Sequence, residues 1–207
     1  MKGKFITIEG CDGSGKSTQK RLLIEHLRSL NYDVVETREP GGTQEAEKIR
    51  ELILDKSLTK MSGVTELLLY TASRVEHVNG LIIPSLKSGK HVICDRFIDS
   101  TLAYQGYARG LGIKYIQEIF ELTTPNCWPD VTIFLNVNPK EAFLRKGGRD
   151  ENDRVENESF EFHQKVYQGF LELCNIYKDR IINIEADGSK YDTSKLIIQE
   201  LSDRKII

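Results

Sequence analysis

Short apolar runs rich in β-branched residues alternate along the chain with stretches in which apolar residues recur every three or four positions. The apolar runs cover residues 5–8, 33–37, 91–94, 131–137 and 180–184. Strands that are apolar at nearly every position are typical of a parallel sheet covered on both faces, and the helical stretches supply that cover. The pattern predicts an α/β fold of three layers with a central parallel sheet of about five strands.

The spacing of apolar residues also locates the main helices. A first helix is predicted over 16–30, with its buried face marked by Leu23, Leu27 and Leu30. A longer helix is predicted over 62–86, with its buried face marked by Leu68, Ala72, Val75 and Ile82. Pro84 is expected to kink or end that helix, because proline lacks the backbone donor that a helix interior needs. Two further amphipathic helices are expected over 160–173 and 191–207.

Composition and charge narrow the class of protein. The 207 residues include 29 lysines and arginines against 31 aspartates and glutamates, a formal charge of −2, which provides no overall attraction for duplex nucleic acid. No stretch has the length and apolarity of a signal peptide or a membrane span. We therefore expect a cytoplasmic protein that binds neither nucleic acid nor membrane. The four cysteines form no C-x-x-C pair and suggest neither a disulfide framework nor a zinc site.

One strongly charged, glycine-containing segment, residues 145–157, lies between a predicted strand and a predicted helix. We interpret it as a mobile lid, although a solvated surface loop has the same composition. No internal repeat, low-complexity tract or linker divides the chain. The sequence therefore predicts a single domain over residues 1–207 that contains this lid.

Residues 10–17 read Gly-Cys-Asp-Gly-Ser-Gly-Lys-Ser and fit the pattern G-x-x-x-x-G-K-[ST]. The segment follows a predicted strand and opens a predicted helix, so its backbone N–H groups and the positive helix end can face a phosphate. A glycine-rich structural turn is the alternative, and the strand and helix context argues against it. The predicted phosphate-binding residues are Gly10, Cys11, Asp12, Gly13, Ser14, Gly15, Lys16, Ser17 and Thr18.

The third predicted strand is followed by Asp95 and Arg96. Enzymes with this kind of loop place an acid at such a strand end to hold Mg²⁺, and the hydroxyl of Ser17 is the second expected ligand. Taken alone, Asp95 could simply cap the strand. Together with the loop, an acid and a cation at the carboxyl edge of a parallel sheet predict a nucleotide site with bound Mg²⁺.

A phosphate loop does not distinguish a switch, a motor and a transferase. A guanine-specific switch would need an Asn-Lys-x-Asp base reader, and the chain contains no Asn-Lys dipeptide. A phosphoryl transferase needs several cations around the transferred group and a second pocket for the acceptor. The arginines that could supply those cations are Arg38, Arg50, Arg74, Arg96, Arg149 and Arg154.

Nearly end to end, the chain resembles the bacterial thymidylate kinases, which phosphorylate dTMP to dTDP with Mg-ATP. The resemblance rests on the phosphate loop and on residues 37–43 (TREPGGT), 68–74 (LLYTASR), 95–100 (DRFIDS), 103–106 (AYQG) and 153–156 (DRVE). It implies a nucleoside monophosphate kinase fold, ATP and dTMP as substrates, Mg²⁺ as cofactor and a homodimer. By the same resemblance, the loop residues 10–18 would bind ATP.

The resemblance also implies how dTMP is bound. Tyr70 would stack on the thymine ring and Arg74 would donate to its O4 atom, since four-residue spacing places both on one helix face. Tyr104 would crowd the sugar C2 position and favour deoxyribose. The monophosphate would be held by Arg38, Arg50 and Arg96. The other residues expected at this site are Asp12 near the 3′-hydroxyl, Gln105 at the base edge, Glu39, Ser100, and Thr101, which replaces an Asn of some relatives.

The catalytic cations implied by the resemblance are Lys16, Arg96 and Arg149. Family members differ in whether a basic residue of the phosphate loop or of the lid assists the transfer, and positions 11–14 here contain none. The lid must then supply it, and alignment on residues 153–154 favours Arg149, with Arg145 and Arg154 as the alternatives. Two other functions remain open at this point: a kinase for another nucleoside monophosphate, and a nucleotide-binding regulator without turnover.

Overall fold

All five strands predicted from the sequence are present and form a parallel sheet. In the computed structural model, which describes residues 3–147 and 153–207, the strand order is β2-β3-β1-β4-β5. The strands span Phe5–Glu9 (β1), Val34–Arg38 (β2), His91–Asp95 (β3), Val131–Asn136 (β4) and Ile181–Glu185 (β5). The predicted α/β class with a central parallel sheet of about five strands is therefore confirmed.

Helical segments connect successive strands, as parallel pairing requires. They are α1 (Lys16–Ser29), α2 (Gln44–Leu54), α3 (Gly63–His77), a π-helical segment (Val78–Ile82), α4 (Ile83–Lys87), α5 (Ile98–Thr101), a second π-helical segment (Leu102–Ala108), α6 (Ile113–Thr123), α7 (Pro139–Lys146), α8 (Phe160–Ile176) and α9 (Lys190–Asp203). Helices α8 and α9 confirm the two amphipathic helices predicted in the last third of the chain.

The sheet separates two apolar cores. Phe5 and Val92 belong to one core, which includes side chains of α3, α6 and α8. Their neighbours Ile6 and Ile93 belong to the other core, which includes side chains of α1 and α9. Because successive residues of a strand point to opposite faces, strands buried on both sides read as the nearly continuous apolar runs seen in the sequence.

Helix α1 ends one residue earlier than predicted. Leu23 and Leu27 are buried, as expected, but Leu30 is 50% exposed. The helix ends at Ser29, so Leu30 is the residue that caps it and no longer continues the buried face. The assignment of Leu30 to that face was therefore wrong.

Helix α3 buries a different face from the one predicted. Leu68 is 56% exposed and Ala72 is exposed, whereas Glu66 and Arg74 are buried. The inward charged groups are stable because each has partners of opposite charge, Arg74 pairing with Glu39. The rule that apolar residues mark the buried face failed here because the helix lines a polar cavity. Ile82, the last residue of the predicted face, is buried as expected.

Pro84 neither ends nor interrupts the helical path, which continues to Lys87. The proline occupies the start of α4, directly after the π-helical segment Val78–Ile82. A π-helical turn shifts the backbone hydrogen bonds by one residue, and this accommodates a residue without an N–H donor.

Four helices were not predicted from the sequence: α2, α5, α6 and α7. Thr43 caps the first turn of helix α2 by accepting a hydrogen bond from the N–H of Ala46 at 3.2 Å. None of the helices in the described part of the chain combines the length and apolarity needed to cross a membrane.

Candidate active site

A cavity of about 510 Å³ opens at the carboxyl ends of three neighbouring strands, β2, β3 and β1. Its wall includes every residue predicted to bind dTMP: Asp12, Arg38, Glu39, Arg50, Tyr70, Arg74, Arg96, Ser100, Thr101, Tyr104 and Gln105. It also includes the predicted metal ligands Ser17 and Asp95, together with Gly13, Gly15, Lys16 and Thr18. Gly10, Cys11 and Ser14 lie outside the wall. The structure therefore brings the predicted residues together, and their individual roles stay predictions.

The phosphate loop joins β1 to α1 and encloses the side chain of Lys16. Lys16 Nζ donates to the carbonyl oxygens of Gly10 and Cys11, each at 3.0 Å. Gly13 has a φ of 89°, and a Cβ there would lie 2.0 Å from the carbonyl oxygen of Ala142. Only glycine fits at that point, because α7 packs directly onto the loop.

The three predicted loop residues outside the wall are buried behind it. Burial raises the pKa of the Cys11 thiol to about 11, although the neighbouring cations Lys16 and Arg96 act in the opposite direction. A raised pKa disfavours the thiolate, which is the nucleophilic form of cysteine. The hydroxyl of Ser14 is buried and has no hydrogen-bond partner among the described residues.

Asp12 and Arg96 connect the loop to the end of β3. Arg96 Nη2 donates to Asp12 Oδ1 at 2.7 Å and Nη1 donates to Ser100 Oγ at 3.2 Å, while the guanidinium lies 5.5 Å from the centre of the Tyr104 ring. Burial acts to raise the pKa of Asp12, but the charges of Arg96 and Lys16 outweigh it and hold that pKa well below its usual range. Asp12 is therefore ionised whenever the protein is folded at neutral pH.

The backbone of Arg96 adopts a left-handed conformation with a φ of 65°. Its N–H donates to the carbonyl oxygen of Ile8 at 3.0 Å, and its carbonyl oxygen accepts from the Cys94 thiol at 3.0 Å. A non-glycine residue in this region is strained, and strain of this kind is concentrated at functional sites.

Arg38 and Arg50 form the cationic wall on the side of β2 and α2. Arg38 makes a two-pronged contact with Glu47, at 2.7 and 2.9 Å, and Arg50 donates to the carbonyl oxygen of Pro40 at 2.9 Å. Burial, followed by the charge of Arg38, lowers the pKa of Arg50. Two guanidinium groups crowded in this way favour a bound anion between them.

Arg74 is held in place by Glu39 and Thr101. Its Nε donates to Glu39 Oε2 at 2.9 Å and its Nη2 donates to Thr101 Oγ1 at 2.7 Å. The other oxygen of Glu39 lies 3.1 Å from His77 Nδ1, and His77 Nε2 lies 2.7 Å from Thr37 Oγ1. Glu39 was predicted to bind dTMP, but the structure also uses it to orient Arg74.

Tyr70 and Tyr104 provide the aromatic part of the wall. Burial, followed by the charge of Glu66, raises the pKa of Tyr70 above its ordinary value. Tyr104 is 8% exposed and makes edge contacts with Phe162 and Phe170 of α8, at centroid distances of 6.1 and 6.4 Å. Both phenols are neutral at physiological pH, so the wall between the charged clusters suits a planar neutral ring.

Residues 17 and 95 form the candidate metal site. Among the described residues, no group of three or more His, Cys, Asp or Glu side chains could hold a metal ion. A hydroxyl from Ser17 and a carboxylate from Asp95 are nevertheless the hard oxygen donors that Mg²⁺ uses when substrate phosphates and water complete its shell. The residues present therefore fit Mg²⁺ bound together with a nucleotide.

Only part of the predicted lid is described. Arg149, the predicted lid cation, lies outside the described residues. Arg154 is not part of the cavity wall: its Nε donates to the carbonyl oxygen of Ile53 at 3.1 Å and its Nη2 donates to Glu66 Oε2 at 2.7 Å. Arg154 was counted among the cations that could act on the transferred group, and that role stays a prediction; in this structure its side chain joins residue 154 to α2 and α3.

Seven residues of the cavity wall were not among the predicted site residues: Pro40, Leu54, Phe97, Lys146, Asp153, Val155 and Glu156. Lys146, the last residue of α7, lines the cavity beside Gly13 and forms an ion pair with Glu156. Its position in a charged run carried no signal that distinguished it from Arg145, which pairs with Glu141 instead.

Glu9 lies outside the cavity wall and was also missed. It is fully buried and accepts hydrogen bonds from the N–H of Phe97 at 2.7 Å and from the hydroxyl of Ser100 at 2.6 Å. Burial raises the pKa of Glu9 to about 7, against the opposing effect of Arg96. The only signal in the sequence is an acid that directly follows the apolar run 5–8.

Comparison with known proteins identifies the relatives of the chain. A family model described as thymidylate kinase matches residues 8–197. A thymidylate kinase of Caldanaerobacter subterraneus subsp. tengcongensis is 43% identical over 203 residues, covering 98% of this chain and 97% of the relative. One from Thermoanaerobacter sp. is 47% identical over 185 residues, 89% and 90% of the two chains. The crystal structure of thymidylate kinase from Ehrlichia chaffeensis superimposes with a TM-score of 0.78 at 35% identity, covering 98% of this chain and 99% of that one.

Proposed function

The chain belongs to the thymidylate kinase family, and from this premise we propose that it transfers the γ-phosphoryl group of Mg-ATP to dTMP, giving dTDP and ADP. It is thus an enzyme, a nucleoside monophosphate kinase. The observation that carries the proposal is the arrangement of two anion-binding sites on one cavity of about 510 Å³. The loop with Lys16 forms one, and the arginines at positions 38, 50 and 96 form the other.

The donor nucleotide would bind along the phosphate loop. Lys16 now donates to two carbonyl oxygens of the loop, and we propose that its ammonium group turns to the phosphoryl oxygens of ATP when they displace those contacts. Ser17 and Asp95 would hold Mg²⁺, which when bound neutralises charge on the phosphoryl groups. The loop backbone then fixes the donor in line with the acceptor.

The acceptor would bind with its monophosphate on Arg38, Arg50 and Arg96. Its base would lie against Tyr70, with Arg74 donating to a carbonyl group of the base. The contacts from Glu39 and Thr101 to Arg74 support this role, because they fix the guanidinium before any ligand arrives. Glu39, Ser100, Thr101 and Gln105 would complete the pocket, with Asp12 near the 3′-hydroxyl.

Transfer would need charge stabilisation by Lys16, Arg96 and Arg149. An oxygen of the acceptor monophosphate attacks the γ-phosphorus while the bond to the β-γ bridging oxygen breaks, and negative charge spreads over the transferred group. Lys16 and Arg96 approach this group from the two anion sites. Arg149 would arrive with the lid, residues 145–157, when the lid closes and excludes water.

We also propose that the protein forms the homodimer predicted from its family, and that it acts in the cytoplasm. Helices α2 and α3 pack together, and their outer surfaces carry Leu52, Val64 and Leu68, which are 51%, 43% and 56% exposed. Apolar groups of this kind on adjoining helices support an interface between two copies. Light scattering should give the mass of a dimer for the unmodified chain and that of a monomer for Leu68→Glu.

The activity is tested by incubating the purified protein with Mg-ATP and each of dTMP, dUMP, UMP, CMP, AMP and GMP. Diphosphate products are separated by chromatography. Rapid conversion of dTMP with poor use of the ribonucleotides is the expected result. Preference for another acceptor would overturn the assignment of the base-contacting residues. Absence of product with every acceptor, together with ATP binding, would instead point to a nucleotide-binding regulator.

A further inference from the structure

Two hydrogen bonds join α3 to the segment 98–108 on either side of Tyr70. Glu66 pairs with Gln105 and Arg74 pairs with Thr101, so the two helical stretches pass each other in opposite directions. Residues 66, 70 and 74 are spaced by four and share one face of α3. The wall behind the proposed base site is therefore cross-linked at both ends. The function of the Arg74 end is proposed above, whereas the Glu66 end has no assigned role.

Glu66 is a buried carboxylate, 1% exposed, that receives hydrogen bonds from three side chains. Its Oε1 accepts from Gln105 Nε2 at 2.7 Å and from Arg109 Nε at 3.2 Å. Its Oε2 accepts from Arg109 Nη2 at 3.0 Å and from Arg154 Nη2 at 2.7 Å. Burial acts to raise the pKa of Glu66, but Arg109, Gln105 and Arg154 together lower it. The group is therefore ionised and can only accept hydrogen bonds.

An acceptor on one side fixes the orientation of the Gln105 amide. Because a carboxylate cannot donate, the NH₂ group of Gln105 must face Glu66, and the amide oxygen must face the other way. Gln105 lines the cavity, and no described residue donates a hydrogen bond to its Oε1. The Oε1 atom of Gln105 is thus available to accept a hydrogen bond from a ligand in the cavity.

The wall then offers a hydrogen-bond donor from Arg74 and an acceptor from Gln105. Thymine presents the complementary pair, the O4 acceptor beside the N3–H donor, whereas cytosine presents an amino donor beside an N3 acceptor. We propose that Glu66 is a positioning residue that sets base specificity: it holds the Gln105 oxygen towards the base and so selects a pyrimidine with a donor at N3. This inference rests on the proposed function, since it concerns the acceptor base.

The substitution Glu66→Gln should reverse the orientation of Gln105. Arg109 and Arg154 have only donors, so they would take the carbonyl oxygen of the new side chain. Its NH₂ group would then face Gln105, whose oxygen would turn to accept from it. Gln105 would consequently present NH₂ to the cavity. A cytosine-type base would gain a hydrogen bond at N3, and thymine would lose one.

The test compares the binding of dTMP and 5-methyl-dCMP, which share sugar, phosphate and methyl group and differ only at position 4 and N3. Calorimetry without ATP gives the ratio of the two Kd values for the unmodified chain and for Glu66→Gln. We expect the variant to lose about tenfold or more of the preference for dTMP, because a mismatched buried hydrogen bond costs discrimination of at least that size. Some preference should remain, since Arg74 is unchanged.

Two further variants separate specificity from general loosening. Arg109→Gln removes a partner of Glu66 but leaves the carboxylate facing Gln105, so its Kd ratio should equal that of the unmodified chain. Glu66→Asp retains the charge that Arg109 and Arg154 require, and it withdraws the carboxylate from Gln105 by one methylene. We expect Glu66→Asp to lose part of the preference for dTMP. This variant provides the test if Glu66→Gln does not fold.

A Kd ratio that is unchanged in Glu66→Asp and in any folded Glu66→Gln protein would overturn the proposal, as would an equal loss in Arg109→Gln. These outcomes are distinct from failure of the proposed function. A chain that binds dTMP in preference to 5-methyl-dCMP but forms no dTDP with Mg-ATP would refute the kinase activity and leave the role of Glu66 intact.

Discussion

Arg96 Nη2 and Asp12 Oδ1 lie 2.7 Å apart although the two residues are separated by 84 positions in the sequence. The same carboxylate oxygen lies 3.4 Å from Lys16 Nζ. One acid therefore stands between two of the cations proposed to act on the phosphoryl groups. Without it, the positive charges would repel each other before any substrate was bound. Asp12 thus orders the two proposed catalytic cations in the absence of substrate.

We expect Asp12→Asn to lower both kcat and the free energy of unfolding. The loss of a charge-assisted hydrogen bond should cost about 1–3 kcal/mol. Because the folded pKa of Asp12 lies well below its unfolded value, its stabilising effect is complete above the unfolded value and disappears only in stronger acid. Denaturant unfolding at pH 5, 6.5 and 8 should therefore give the same difference between variant and parent. A difference that vanishes at pH 5 would contradict this.

Glu9 should produce a pH dependence of the opposite sign. Its folded pKa, raised to about 7, exceeds the unfolded value, so the folded state holds the proton more tightly. The contribution of Glu9 to stability therefore decreases as pH rises from the unfolded pKa to about 7, by at most about 1.4 kcal/mol per pH unit. Glu9→Gln keeps the shape and removes the titration. Unfolding free energies measured between pH 4.5 and 8 should fall less steeply in the variant; parallel curves would refute the assignment.

Tyr104 is predicted to exclude the ribose 2′-hydroxyl. Tyr104→Ala should raise kcat/KM for 5-methyl-UMP relative to dTMP by about tenfold, because a steric barrier at C2 is removed. The ring also packs against Phe162 and Phe170, so this variant should lose about 3–5 kcal/mol of stability and is assayed below its melting temperature. Tyr104→Phe retains the ring and serves as control. Unchanged discrimination in folded Tyr104→Ala would exclude the steric role.

Arg149 and Arg154 should respond differently to substitution by alanine. Arg149→Ala should lower kcat about 100-fold or more with little change in KM for dTMP, because its contact forms mainly in the transition state. Arg154→Ala should instead lower the melting temperature, since Ile53 and Glu66 lose their donor. Steady-state kinetics and thermal unfolding of both variants check this difference. An unaltered kcat in Arg149→Ala would remove it from the catalytic cations.

The features that the sequence predicted correctly are those encoded locally. The five strands and the loop ending in Lys16 each depend on a short run of residues whose backbone preferences agree with the fold. The cluster of arginines could be predicted because family resemblance places residues that are distant in sequence at one sheet edge. Spacing alone would not have brought Arg38 and Arg96 together.

The errors arose where a side chain finds its partner in another part of the fold. Leu68 has the spacing of a core residue, but α3 turns Glu66 and Arg74 inward because both meet opposite charges there. The pairing of Arg154 with Glu66, 88 positions away in the sequence, was not predicted. The hydrogen bonds that Glu9 accepts from Phe97 and Ser100 were not predicted for the same reason. A one-dimensional pattern contains no information about such pairings.

The left-handed backbone of Arg96 has a consequence for protein engineering. Glycine at this position would relieve strain of the order of 1 kcal/mol, yet it would remove the guanidinium that contacts Asp12 and that we propose to bind the acceptor phosphate. A screen that rewards thermal resistance alone would therefore favour inactive chains at this codon. Directed evolution of this enzyme therefore needs selection for turnover at every round. The substitution that relieves backbone strain at residue 96 and raises stability also removes the arginine side chain that turnover is proposed to need.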